Sequence, residues 1–113
     1  MKRSSMTLAK SFIKKYPFFA KIIDLAEQLL HPQKIIIFGS RARGDHQSTS
    51  DFDLAFDFPP TSDAEWGHFC TTMEEDIPTL ASFDLVNMRE ASSELMAAIR
   101  KEGIILYERK DKK

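Results

Sequence analysis

The sequence predicts an α+β (α/β) chain, a small mixed sheet with helices packed on it. Short runs rich in β-branched and aromatic residues alternate with segments of three-and-four apolar spacing. Proline or glycine punctuates most junctions between them. The 113 residues suffice for one core but not two, so residues 1–113 are read as one domain. Apolar residues at 42% and charged residues at 29% exclude the low-hydrophobicity, high-charge signature of disorder.

The elements follow in order. Ile22, Leu25, Ala26, Leu29 and Leu30 mark an amphipathic helix that begins near Pro17 and is stopped by Pro32. Its pattern extends back into "LAKSFIKKY", where Pro17 ends or kinks it. "KIIIF", residues 34–38, reads as a buried strand. Phe52, Leu54, Phe56 and Phe58 alternate with Asp51, Asp53, Ala55 and Asp57, a strand with one acidic face ended by Pro59 and Pro60. Trp66, Phe69, Cys70, Met73 and Ile77 lie on one face of a second helix, with Thr61 or Ser62 as N-cap and Pro78 at its close. "SFDLVNM", residues 82–88, is a third strand. Ser92 or Ser93 caps a last helix that Gly103 ends before the strand "IILYE". The basic tail, about 109–113, is expected to be disordered. Strand order within the sheet does not follow from pattern.

Composition narrows the setting. No apolar run approaches the ~20 residues that span a bilayer, and the lysine-rich start lacks the apolar stretch of a signal peptide. A single cysteine, Cys70, permits no internal disulfide and reads as a buried structural thiol. A cytoplasmic protein is expected. Net charge is only −1, yet Gly44 to Met88 holds ten acidic residues and no lysine or arginine. Such a segment faces water, recruits a cation or meets a basic partner. His31, His46 and His68 form no spaced cluster, so zinc is not expected; His46 reads as a solvated loop residue. Trp66 shares its helical register with Phe69 and Met73, which favours core or subunit interface over contact with a base.

The stretch "FGSRARGDHQSTSDFDLAFDF", residues 38–58, concentrates the chemistry. Asp51 and Asp53 share one face of a strand, with Cα atoms ~6.5–7 Å apart. They repel unless a cation lies between them, and magnesium suits such a pair because it keeps waters and phosphate oxygens as its other ligands. Two ions together would hold the attacking and leaving oxygens of a phosphoryl displacement. Asp84, set in "FDLV" against core formers, is the candidate third carboxylate. Asp57 lies ~13 Å along the strand from Asp53 and is left out. Gly39 and Ser40 open a short helical turn whose free N–H groups and hydroxyl suit a phosphate. The Gly-x4-Gly-Lys-Ser/Thr pattern of a P-loop is absent. Arg41 and Arg43 supply charge for a triphosphate, although residues two apart on a helical turn point to different sides. Each feature also has a bland reading, as an ordinary turn, a solvated strand face or a structural hydrogen-bonder.

Gly39-Ser40, ten intervening residues, then Asp51-Phe52-Asp53 resembles the Gly-Ser-x10-Asp-x-Asp signature of minimal nucleotidyltransferases in the DNA polymerase β superfamily. The resemblance covers nearly the whole chain, with Asp84 on the third strand. It implies the polymerase β-like nucleotidyltransferase fold, with Asp51, Asp53 and Asp84 as catalytic residues that hold two Mg2+ ions, Mn2+ being a substitute. It implies nucleotide contacts at Gly39, Ser40, Arg41 and Arg43. The reaction implied is attack of an acceptor oxygen on the α-phosphate of a nucleoside triphosphate, ATP first, with pyrophosphate leaving. Asp84 is then the candidate proton acceptor. The helical domain of larger members is missing, so the acceptor is expected on another subunit or chain. In the family such proteins pair with a HEPN-type helical protein, as antitoxin to toxin, and some transfer AMP to it. A homodimer or hetero-oligomer is compatible with this.

Two other classes of function stay open on sequence. A nucleotide-binding or toxin-neutralising module would act by stoichiometric contact without turnover, though it has no need for three gathered carboxylates. A nucleic-acid binder is disfavoured, because the acidic middle repels phosphates.

Overall fold

Pro17 decides how the chain enters the fold. With no N–H to donate it cannot continue a helix, and the computed structural model, which describes residues 5–110, breaks there into two. Helix α1 spans Ser5–Lys15 and α2 spans Phe18–Leu29, with Pro17 as the N-cap of α2. The earlier turns are therefore a helix of their own rather than a kinked extension. His31 ends α2 in the left-handed region at φ 51, its N–H bonded to the Ala26 carbonyl.

Strands β1 (Lys34–Phe38), β2 (Phe52–Asp57), β3 (Phe83–Asn87) and β4 (Ile104–Glu108) fall where the β-branched and alternating runs place them. They form one mixed sheet in the order β3-β2-β1-β4. β1 pairs antiparallel with both β2 and β4, whereas β2 and β3 run parallel. The parallel pair needs a crossover, supplied by α4 (Trp66–Asp76). The C-terminal end of β1 thus meets the N-terminal ends of β2 and β3.

The two sheet faces divide the core. Ile35, Ile37, Phe52, Leu54, Phe56 and Leu106 pack against Phe19, Ile22 and Ala26 of α2 and Phe69 and Met73 of α4. Ile36, Phe38 and Ala55 point the other way, onto Ile99 of α5 (Ser93–Glu102). Strand alternation puts Asp53 and Asp84 on this second face. Ser92 caps α5 by accepting from the Leu95 N–H. At Gly103 a Cβ would overlap the Ile99 carbonyl and the Ile36 side chain, so the chain passes tightly from α5 into β4.

Several expectations need correction. Neither Thr61 nor Ser62 caps α4: residues Pro60–Glu65 form a 3-10 turn, and α4 starts at Trp66. Pro60 opens the turn, and Arg89 pairs with Asp63 to hold it against β3's exit. Cys70 is half-buried rather than buried, and lines a hollow of about 390 Å³ with Met73, Glu74, Ile77, Phe83 and Leu85. Burial, with Glu74 nearby, raises its thiol above the usual cysteine value, so it stays protonated. Trp66, as its register predicts, packs against the core, stacked on Phe58 with ring centroids 5.3 Å apart. Arg109, expected to fray, is tied to the Gln33 carbonyl through its N–H and to the His31 carbonyl through its guanidinium. Residues 111–113 of the expected tail lie outside the described residues. No helix among the described residues is long and apolar enough to cross a membrane.

Candidate active site

The site grows from the end of β1. After Phe38 the chain turns at Gly39, whose φ of 77 and ψ of −161 suit glycine alone. Helix α3 (Ser40–Arg43) follows, and Gly44 at φ 92 ends it. A Cβ on Gly39 would overlap Asp53 Oδ2. The missing side chain therefore lets the turn and the carboxylate touch. Within the turn the Ala42 and Arg43 N–H groups donate to the Gly39 carbonyl, which leaves those of Ser40 and Arg41 for an anion.

β2 and β3 bring the carboxylates together. In the parallel ladder Asp53 stands opposite Asp84, between the apolar pairs Phe52–Phe83 and Leu54–Leu85. Burial holds the Asp53 carboxyl above the ordinary carboxylate value. The like charges of Asp84 and Asp51 push it further up, and Arg43 offsets only part of this. Asp51 lies just before β2 and is exposed, close enough for its charge to act on Asp53. Among the described residues no three His, Cys, Asp or Glu side chains converge as a ready-made metal cage. The donor set still fits a divalent ion, since magnesium takes one or two carboxylates and fills its shell with water and phosphate oxygens. Asp57 sits at the far end of β2, opposite Lys34.

The two arginines part company. Arg41 is buried and lies over the Phe52 ring at 4.2 Å. It donates to the carbonyls of Ser48 and Ser50 and to the Tyr16 hydroxyl. These bonds hold the 44–51 loop that delivers Asp51, and they turn Arg41 away from the aspartates. Arg43 is exposed on the opposite side of α3 and pairs with Asp45 and Glu102, each at 3.0 Å. The divergence follows from their two-residue spacing on a helical turn. His46, expected to be solvated, is half-buried, and its Nδ1 has no hydrogen-bond partner among the described residues.

Glu102, which sequence reasoning passed over, is the last residue of α5 and sits beside this turn. Its Oε1 accepts from the Gly39 N–H at 3.2 Å. A signal was present: a carboxylate in a helix's last turn opposes the helix dipole and needs a reason to be there. Asp45 and Asp63 pair with Arg43 and Arg89, Glu74 to Asp76 face water, and Asp53 and Asp84 stand together where a cation would relieve them.

A turn that admits a phosphate, pressed against carboxylates that favour a cation, is how a nucleotidyltransferase is built. The family model described as Polymerase beta, Nucleotidyltransferase matches residues 20–112, and the chain belongs to that family. It is 26% identical to a chain of a toxin-antitoxin crystallised with AMP-PNP, with 80% of this chain and 73% of that chain covered and a TM-score of 0.58. It is 25% identical to a chain of a mutant MntA-HpeT toxin-antitoxin, over 80% and 72% of the two chains, with a TM-score of 0.62. A second MntA-HpeT mutant shares the fold at 23% identity, TM-score 0.63, over 80% and 72% of the chains. No curated protein matches the sequence. The polymerase β-like fold and the nucleotidyltransferase class read from the Gly-Ser and Asp-x-Asp motifs are borne out.

Proposed function

We propose that this chain transfers a nucleoside monophosphate, AMP in the first instance, from a magnesium-bound triphosphate to a hydroxyl of a HEPN-type helical partner. Pyrophosphate is released, and the transfer is that of an antitoxin on its toxin in the cytoplasm. The observation that carries the reading is the in-register pairing of Asp53 with Asp84 against the Gly39 turn. The similarity to a toxin-antitoxin crystallised with AMP-PNP supports the choice of nucleotide and of partner class.

In this reading Asp51, Asp53 and Asp84 hold two magnesium ions. When bound, such ions neutralise charge on the attacking and leaving oxygens. Gly39 admits the triphosphate close to the backbone, the Ser40 hydroxyl donates to a phosphate oxygen, and Arg43 pairs with phosphate charge. Asp84 is exposed on the outer strand, where an incoming hydroxyl reaches it, and accepts that proton. Arg41 serves the site indirectly, by fixing the loop before Asp51.

The test is calorimetric titration of ATP, GTP, CTP and UTP with magnesium into the native chain and the Asp51→Asn/Asp53→Asn variant, followed by radiolabel transfer to a co-expressed HEPN-type partner. Metal-dependent binding of a triphosphate that the variant loses, with label appearing on the partner, supports the reading. Partner neutralisation by the double variant as fully as by the native chain would overturn turnover in favour of contact alone.

A further inference from the structure

Glu102 occupies a position that ordinary helix electrostatics disfavours. It adds a negative charge at the C-terminal end of α5, where the helix already presents the negative end of its dipole. It also stands beside a turn meant to receive phosphates. Its two oxygens are divided between two tasks: Oε1 accepts from the Gly39 N–H at 3.2 Å, and Oε2 from Arg43 Nη1 at 3.0 Å.

Arg43 has a second partner of different character. Its Nε donates to Asp45 at 3.0 Å, and the Asp45 side chain is 62% exposed against 22% for Glu102. One end of the guanidinium is thus held by a sheltered carboxylate that also grips the turn, and the other by a short, solvent-facing one. A bidentate donor held this way presents its Nε side to any incoming anion that can replace Asp45.

We propose that Glu102 is a positioning residue of the transfer site: it locks Gly39 and Arg43 into one unit, and a polyphosphate oxygen exchanges with Asp45 on that arginine. The proposal rests on the nucleotidyltransferase reading of the site. It makes a prediction that simple charge counting reverses. Glu102→Gln and Asp45→Asn each remove one negative charge near an anion site, so Coulomb's law alone has both tighten binding. A positioning role splits them. The amide introduced by Glu102→Gln keeps an acceptor for the Gly39 N–H but is no charged partner for Arg43, so polyphosphate binding weakens, by about fivefold or more. Asp45→Asn removes an exposed competitor and tightens binding, by about threefold.

The experiment titrates magnesium with inorganic tripolyphosphate, which has no base, into the full chain and both variants, following the Arg43 Nε–Hε resonance by NMR. The same spectra report whether each variant is folded. Opposite signs for the two variants, with the Arg43 resonance moving in the native chain, are the expected result. Tightening in both variants, equal affinity in Glu102→Gln and native, or no response of Arg43 overturns the proposal. Label transfer by Asp53→Asn is measured separately, so failure of the enzymatic reading is told apart from failure of this one.

Discussion

Asp53 and Asp84 face each other as register partners in the parallel β2–β3 ladder, one residue in from the end of the sheet where Gly39 turns. Neither the strand pattern of β2 nor that of β3 puts them together; the crossover through α4 does. Their removal therefore tests the site without touching the core. Asp53→Asn keeps size and shape while withdrawing the charge of a proposed cation ligand. It is expected to lower label transfer about 100-fold or more. Single-turnover rates at saturating magnesium check this, and a rate within a few-fold of native would place the chemistry elsewhere.

The raised Asp53 pKa has a stability consequence with a definite sign. In the unfolded chain this carboxyl has its ordinary value; in the folded chain burial and its acidic neighbours hold the proton more tightly. The stability it contributes is complete below the ordinary carboxylate range and is lost as pH rises through the raised value. Metal-free Asp53→Asn should accordingly melt above the native protein at pH 7, the gap closing in acid. Magnesium should raise the native melting temperature and leave the variant's unchanged. Thermal melts across pH, with chelator and with magnesium, measure both effects.

Gly39→Ala combines two penalties. Alanine is strained at φ 77, and its methyl group would meet Asp53 Oδ2. The backbone part alone costs about 1–3 kcal/mol. Activity should fall further than stability, because the carboxylate has to move. Urea denaturation beside transfer rates separates the two losses.

Arg41→Lys keeps charge but loses the fork that reaches Ser48 and Ser50 together. Arg41→Ala, which also leaves those carbonyls without their donor, should cost about 2–4 kcal/mol. In both variants hydrogen exchange should quicken in residues 45–50, with α2 and β1 unaffected. Uniform quickening would mean that Arg41 supports the whole fold.

Much of this architecture is legible in the chain. Prolines and β-branched runs mark β1, β2, β3 and β4 because side-chain alternation and the missing proline N–H act locally. The Gly-Ser turn and the paired aspartates share that legibility, being close in sequence. What escaped depends on tertiary meeting. Pro60 with Asp63, drawn to Arg89, turned an expected helix start into a 3-10 turn. Arg41 looked like a phosphate ligand because sequence does not say which side of α3 faces the aromatic cluster of Tyr16 and Phe52. Glu102 lies 63 residues from the glycine it holds, a distance over which no local pattern speaks.

That separation also sets a timetable. During synthesis Gly39, Ser40, Asp51 and Asp53 emerge together, but Asp84 comes later and Glu102 later still, followed by the strand that zips onto β1. Until then the turn lacks its anchor and the aspartate its opposite number. A half-made molecule therefore carries the Gly-Ser and Asp-x-Asp motifs before the strand and helix that stand beside them have been made.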